Sequence, residues 1–528
     1  MIGIILNFAV KFTKPGQLKS LQFASLLITF FVYAGSAYSQ QNGKRPNIIF
    51  IFSDDHAYQA IGAYNSKLVA TPNIDRIAHE GALFKNAFVT NSICGPSRAA
   101  LLTGKYSHVN GYKENEGKFD MSQQVFPELL QASGYQTAWV GKWHLGSLPR
   151  GFDYWKILPG QGFYYNPTFI EMNNDTVATE GYATNLITEF STAWLDKRDS
   201  SKPFFMVIGE KATHRDWMPD LQDLGAYDSI DFPLPPNFFD KYEGRIAAKD
   251  QDMTIEKTMR LEQDLKVHVN YDGERNYKRF TPEQKKLFYD YYENKVSKEF
   301  DEKKLSGSEL VKWKYQRYMK DYLSVAKSLD RNIGRILDYL DKHGLAENTV
   351  VVYASDQGFY LGEHGWFDKR FMYEESLKTP FVMRYPGVIK PGTSISQFAL
   401  NIDWAPTMLD IAKVKVPGAI QGVSLVPLLD QSKANKIPWR KQVYYHYYEY
   451  PRDHKVYPHF GIRTEHYKLI RFYGVKNFWE LYNLDKDPHE MKNIFESKGS
   501  EKITSELKKK LKELIIEYKD DEALQLLD

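Results

Sequence analysis

The chain predicts an α/β fold: a central, mostly parallel sheet flanked by helices, with a smaller α+β unit at its C-terminal end. Three observations carry this expectation. Short β-rich runs alternate with helical patterns along most of the chain. Four of the apolar runs end in polar residues, as strands of an open parallel sheet do where ligands bind beyond their carboxyl ends. After about residue 430 the pattern changes to aromatic strand-like runs followed by a single Lys/Glu/Leu-rich helix. At 528 residues the chain is long enough for a large core and for two domains.

Taken in order, residues 1–39 read as a signal peptide. Lys11, Lys14 and Lys19 precede an apolar stretch from Leu21 to Val32, and Ala34, Gly35, Ser36, Ala37 and Ser39 follow. The stretch is short for a membrane span, so stable membrane insertion is not expected, an uncleaved anchor being the alternative. This predicts an exported protein, periplasmic or extracellular, and bacterial.

Residues 40–430 read as the main α/β domain. Asn47-Ile-Ile-Phe-Ile-Phe52 runs into Ser53, Asp54 and Asp55. Thr137-Ala-Trp-Val140 runs into Gly141, Lys142 and His144, Phe204-Phe-Met-Val-Ile208 leads to His214, and Thr349-Val-Val-Val-Tyr353 leads to Asp356 and Gln357. Four strands therefore deliver polar groups to one site. Thr71 and Pro72 open a helix that Gly81 ends. Leu329, Ile333, Ile336 and Leu340 form the apolar stripe of another. The charged, tyrosine-rich stretch of about 240–314 is expected to be a helical insertion over one edge of the sheet. Residues 431–528 read as the α+β unit, with strands between Val443 and Phe472 and a helix from Glu501 to Tyr518.

Composition narrows the partners. The formal net charge is +3 and there is no basic tract, so nucleic acid is not expected. Aromatic residues make up 15% of the chain, which suits stacking on sugar rings and equally suits filling a core.

The sole cysteine, Cys94, lies in Cys94-Gly95-Pro96-Ser97-Arg98. Pro96 and the run Ala99-Ala-Leu-Leu102 predict a helix starting there, which puts Cys94 among free backbone N–H groups with Arg98 one turn on. Two readings stand: a chemical site, or a small buried hydrophobe. Asp54, Asp55, Asp356 and Gln357 offer hard oxygen ligands suited to Ca2+ or Mg2+. With Arg98, Lys142, His144, His214 and Lys369 they make a set suited to holding a small tetrahedral anion or its ester.

These motifs resemble type I sulfatases. CGPSR is similar to the signature whose cysteine is oxidised to formylglycine (3-oxoalanine), and TPNIDRIAHEGALFKNAF, GKWHLG and SDQGFYLGEHGWFDKRFMYEESLKTP are similar to further hallmarks of that family. GIRTEHYKLI and WELYNLDKDPHEMKNI resemble its C-terminal subdomain, so the likeness covers nearly the whole mature chain. It implies an alkaline-phosphatase-like fold and one Ca2+ held by Asp54, Asp55, Asp356, Gln357 and the modified Cys94. Gln357 stands where asparagine is common, and Thr213 where many relatives have proline.

The resemblance also implies a mechanism. One hydroxyl of the hydrated aldehyde attacks sulfur, and the other lets the aldehyde reform as sulfate leaves. Arg98 helps stabilise the nucleophile, and Lys142 and Lys369 hold sulfate oxygens. His214 protonates the leaving alcohol and His144 moves a proton at the hydrated aldehyde. A formylglycine-generating enzyme is then a required partner. The expected substrate is a sulfated poly- or oligosaccharide, a glycosaminoglycan or an algal glycan such as ulvan, with His364, His459 and Arg463 as candidate sugar contacts. The alternatives are a formylglycine-dependent phosphodiesterase or phosphonate hydrolase, and a non-catalytic glycan-binding protein.

Overall fold

A computed structural model describes residues 44–434 and 436–527. The expected signal peptide, 1–39, lies outside the described residues. The main sheet contains β1 (Asn47–Ser53), β2 (Ala82–Phe84), β3 (Gln136–Lys142), β4 (Tyr154–Leu158), β5 (Thr168–Glu171), β6 (Thr176–Ala178), β7 (Phe204–Gly209), β8 (Thr349–Ser355), β9 (Phe381–Arg384) and β10 (Thr393–Ile395). Their order is β10-β2-β9-β8-β1-β7-β3-β4-β5-β6. The block β8-β1-β7-β3-β4 is parallel throughout, with antiparallel neighbours on both sides.

Burial on both faces explains why these strands read as continuous apolar runs. Ile49 and Ile51 of β1 face one core with Val351 and Tyr353, while Ile48, Phe50 and Phe52 face the other with Val350 and Val352. The first core is roofed by α1 (Pro72–His79), α3 (Ala183–Lys197) and α4 (Gly307–Lys342). The second is closed by α2 (Cys94–Thr103) and α5 (Trp404–Ile411). Parallel pairing sets Ser53 opposite Ser355, so Asp54 and Asp356 leave the sheet side by side.

Two local expectations change. Thr71 stands at the start of α1 but makes no capping bond there; its Oγ1 accepts from Gly62 N at 2.8 Å and donates to Asp75 Oδ1 at 2.9 Å. The 240–314 stretch is not confined to a sheet edge. Its end belongs to α4, which begins at Gly307, and Ile255, Met259 and Leu265 join the core beneath that helix. Asp264 meets Arg215 beyond the carboxyl end of β7, with Oδ1 and Oδ2 each accepting at 2.7 Å. Apolar residues dispersed among charges hid that burial from the sequence pattern.

At the C-terminal end, β11 (Gln442–Tyr447), β12 (His459–Thr464), β13 (Tyr467–Phe472) and β14 (Phe478–Asn483) form an antiparallel sheet covered by α6 (Glu501–Tyr518). Leu507, Leu511 and Ile515 of α6 share a core with Ile462 and Leu469, and also with Ile93 and Ala100 around the start of α2. The small sheet thus braces the turn that carries Cys94.

Gly141 and Gly209 face each other across β3 and β7. Gly141 has φ +100°, and a Cβ there would stand 2.0 Å from Gly209 O. Gly141→Ala should therefore destabilise the protein by about 3 kcal/mol and loosen Lys142 next to it. Urea unfolding of the variant checks this; wild-type stability would refute the packing argument.

Candidate active site

The two strand ends deliver three carboxylates into the interior. Asp54, Asp55 and Asp356 are at most 1% exposed, and one oxygen from each lies within 4.8 Å of the others. Asp55 takes a left-handed backbone, φ 62°, and its N–H donates to Asp356 Oδ1 at 3.1 Å. Cations answer each acid. Arg98 Nε and Nη2 donate to Asp356 Oδ2 at 3.1 and 2.9 Å, Lys142 Nζ donates to Asp54 Oδ2, and Lys369 Nζ donates to Asp55 Oδ2 at 2.7 Å.

The cations do not neutralise the set evenly. Burial opposes charge on Asp54, but Lys142, His214 and Arg98 hold its carboxyl well below the ordinary range. Burial pushes Asp55 up to about 6, against Lys369, with Asp54 adding to the rise. Burial and then Asp54 push Asp356 up to about 8. Gln357 Nε2 donates to Asp55 Oδ1, leaving Gln357 Oε1 buried without a hydrogen-bond partner. A half-turn of that amide presents its oxygen beside the three carboxylates. Self-repelling carboxylates plus an orphaned amide oxygen fit a hard divalent cation.

Cys94 opens α2 and is fully buried, with Sγ 3.3 Å from Asp54 Oδ1. The helix N-terminus does not make it acidic: burial, reinforced by Asp54, pushes the thiol well above its ordinary value. The free thiol is a poor nucleophile here. Gly95 is required beside it, because a Cβ would meet Tyr112 at 2.6 Å. Gly95 N donates to Asn115 Oδ1 at 2.9 Å, which fixes the turn.

His214 Nδ1 donates to Arg215 O at 2.6 Å, so Nε2 faces Asp55 Oδ2 at 3.8 Å. Ligand atoms of Asp54, Cys94 and His214 also lie within 4.8 Å of one another. Burial pushes His214 well below its ordinary value, and burial and Lys142 do the same to His144. His144 takes φ 56°, and its Nδ1 has no partner among the described residues.

A cavity of about 460 Å³ opens over this cluster, lined in part by Asn115, Gln161, His214, Arg215, Lys369 and Arg370. On its wall Asp368 accepts from Arg370 Nη1 at 2.6 Å and pairs with His454 Nε2 at 3.0 Å. The 240–314 stretch contributes Asp252, Thr258 and Arg260. Of the lining residues, sequence reading singled out His214 and Lys369 and missed the others. Arg215, Asp368 and Arg370 adjoin residues already singled out, a signal that was available. Gln161, Arg260 and His454 reach the cavity only through tertiary packing.

Comparison with known proteins agrees in extent with this geometry. Residues 46–414 match the family described as Sulfatase, and residues 362–517 match the one described as N-sulphoglucosamine sulphohydrolase, C-terminal. N-acetylglucosamine-6-O-sulfatase of Bacteroides thetaiotaomicron is 48% identical over 495 residues, covering 92% of this chain and 88% of that protein. An ulvan-active sulfatase of Formosa agariphila is 26% identical over 498 residues, covering 91% and 83%. A solved sulfated-sugar complex, described as bound to its substrate D-glucosamine-2-N,6-O-disulfate, superposes with TM-score 0.88 at 48% identity, covering 90% of this chain and 99% of that one. The phosphonate monoester hydrolase of Agrobacterium radiobacter shares the fold, with TM-score 0.66 at 19% identity and coverage of 90% and 96%.

The three expected sugar contacts are corrected by their surroundings. Arg463 clamps Glu374 through Nε at 3.2 Å and Nη2 at 3.0 Å, with its guanidinium over Phe88 and Phe398. His364 is fully buried, with Nδ1 2.7 Å from Asp240 Oδ2. His459 is fully buried too; Nδ1 donates to Tyr457 O at 2.7 Å and Nε2 accepts from Met372 N at 3.1 Å. All three hold the fold together and none lines the cavity.

Burial pushes His364 down to about 4 and His459 to about 3. Both are therefore neutral in the folded protein at pH 7, whereas an unfolded histidine titrates near ~6.5. Below that point the unfolded chain binds more protons, so stability is lost as pH falls. Each histidine should contribute about 1.4 kcal/mol per pH unit between about pH 6 and pH 4. Unfolding free energies at pH 7, 6 and 5 measure the slope, and His459→Phe should flatten it by about one proton. An unchanged slope in that variant would rule the assignment out.

Proposed function

Because this chain belongs to the sulfatase family and is a sulfuric ester hydrolase, we propose that it removes 6-O-sulfate from N-acetylated or N-sulfated glucosamine residues of a sulfated glycan. The observation that carries this reading is the 48% identity, over 92% of the chain, to N-acetylglucosamine-6-O-sulfatase. The solved relative bound to D-glucosamine-2-N,6-O-disulfate supports the same sugar and the same ester position.

Asp54, Asp55, Asp356 and Gln357 would hold the cation, Ca2+ by the family resemblance, which supplies positive charge beside the nucleophile and the sulfate oxygens. Formylglycine at position 94 would supply an oxygen nucleophile that can later release sulfate, where the buried thiol cannot. The remaining work falls to side chains already in position. Lys142 and Lys369 would turn from Asp54 and Asp55 toward sulfate oxygens as charge develops. Arg98 keeps Asp356 oriented. His214, anchored at Nδ1, would carry a proton on Nε2 to the leaving sugar oxygen, while His144 would move the proton at residue 94. Asp368, Arg370 and His454 form a braced polar group on the cavity wall and would hold sugar hydroxyls. The protein would need a formylglycine-generating enzyme and would act in the periplasm or outside the cell. Among the described residues no helix is long and apolar enough to cross a membrane.

In a host able to install formylglycine, the tryptic peptide Asn86–Arg98 should carry an aldehyde at position 94. An intact thiol there, with a control sulfatase converted, would sink the mechanism. Purified enzyme should release sulfate from N-acetylglucosamine-6-sulfate far faster than phosphate from the analogous phosphate ester; the reverse ranking would favour the phosphonate-hydrolase alternative. Lys142→Ala should lower kcat/KM by about a hundredfold to a thousandfold. Chelation should reduce both activity and Tm, with Ca2+ restoring them, and indifference of both to chelator would remove the metal from the site.

A further inference from the structure

Cations gather around the loop that brings Gln161 into the cavity, and among the described residues Lys211, Arg275 and Arg279 make no ion pair with a carboxylate. Gln161 Oε1 accepts from Lys142 Nζ, and Gln161 O accepts from Lys211 Nζ at 3.2 Å. Lys211 is 4% exposed and lies 4.6 Å from the Tyr164 ring centroid. Two residues beyond Gln161, the Phe163 ring has the guanidinium carbons of both Arg275 and Arg279 at 4.5 Å from its centroid.

The two arginines are placed differently. Arg279 uses its donors on neutral oxygens: Nε and Nη2 reach Asn166 O at 3.0 and 2.6 Å, and Nη2 reaches Thr168 Oγ1 at 2.7 Å. Arg275 is exposed, and its guanidinium lies over the ring. Among the described residues neither arginine has an acidic partner. Asp272 is paired with Lys285 Nζ at 2.6 Å and Asp216 accepts from Asn276 Nδ2 at 2.6 Å, while Glu274, beside Arg275 in sequence, makes no ion pair with either arginine. Burial and the charge of Arg275 both push the Arg279 guanidinium down. Two like charges held on one ring without a counterion repel, and a bound anion relieves that repulsion. The cluster is tied to the cavity wall from both sides: Tyr164, next to Phe163, donates from Oη to His214 O at 2.5 Å, and Asn276, next to Arg275, donates to Asp216, the neighbour of the lining residue Arg215.

We propose that Arg275 and Arg279, stacked on Phe163, form an anion subsite for an acidic group on the sugar next to the one being desulfated. The proposal rests on the sulfated-glycan reading above and extends it from one sugar to an oligosaccharide.

The test compares N-acetylglucosamine-6-sulfate with a heparin-derived tetrasaccharide bearing a 6-O-sulfated glucosamine, and with an analogue lacking the neighbouring sulfates but retaining uronate carboxylates. Wild-type enzyme should show a lower KM for the tetrasaccharide than for the monosaccharide, and the advantage should shrink as NaCl is raised. Arg275→Glu should raise the tetrasaccharide KM by about threefold to tenfold and shift the monosaccharide KM by less than about twofold, with Arg275→Lys largely restoring it. The analogue tells whether sulfate or carboxylate occupies the subsite. Equal KM values in wild type, or a variant that raises both equally, would overturn the proposal. If no substrate is turned over, the substrate reading fails by itself. Calorimetric binding of the heparin tetrasaccharide to wild type and Arg275→Glu then decides the subsite, with equal affinities overturning it.

Discussion

The structure depends on three carboxylates and three cations buried together at the carboxyl ends of β1 and β8. Asp54, Asp55 and Asp356 would be prohibitively costly to bury alone; Lys142, Arg98 and Lys369 make the cluster possible. Three acids against three bases leave the side chains near balance. A divalent cation added to that set would leave a surplus of two positive charges, which would attract an anion such as a sulfate ester. Much of the surrounding fold keeps this cluster rigid. Parallel pairing aligns the two strand ends, the left-handed turn at Asp55 separates its carboxylate from that of Asp54, and Gly141 and Gly209 let β3 approach β7 closely enough to aim Lys142.

The C-terminal sheet belongs to the same logic. Its core is continuous with Ile93 and Ala100, so the start of α2 is held from behind by β12 and β13. Tyr445 Oη donates to Arg370 O at 2.6 Å, and Ser92 N donates to Tyr445 Oη at 3.2 Å. One tyrosine of the small sheet therefore ties the residue beside Lys369 to the residue two before Cys94. That sheet also bounds the cavity, since His454 enters from the β11–β12 connection to meet Asp368.

How much of this was legible in the sequence follows from where the information resides. Strand-end acids and bases were readable because an apolar run followed at once by Asp-Asp or Asp-Gln has few explanations in an α/β chain. The start of α2 was readable from Pro96 and the alanines after it. What failed was any inference that needed to know which way a side chain faces. His364 and His459 have the residue type of a ligand, yet both are buried and held by the protein itself, His364 by Asp240 and His459 with a carbonyl at one nitrogen and an N–H at the other. Nothing local in the sequence separates that arrangement from a histidine pointing into a cavity. His454, which does face the cavity, was passed over in a loop with no periodicity to mark it.

The division between centre and rim has a physical basis. At the centre each residue is fixed by several partners at once: Asp54 alone meets Lys142, Cys94 and the turn of Ala212 and Thr213. Changing one of these leaves a buried charge unpaired, so the chemistry admits little variation. At the rim, Arg215 and Arg260 both turn toward Asp264, and Arg275 lies over an aromatic ring. Arg260 and Arg275 are exposed, individually weak and replaceable without disturbing the carboxylate cluster, whereas Arg215 is tied to the buried Asp264. Most of these groups come from the 240–314 stretch, whose backbone is held by dispersed apolar anchors rather than by the sheet. A fold built this way can keep one sulfate-ester chemistry while its outer cations are rearranged to suit different glycans.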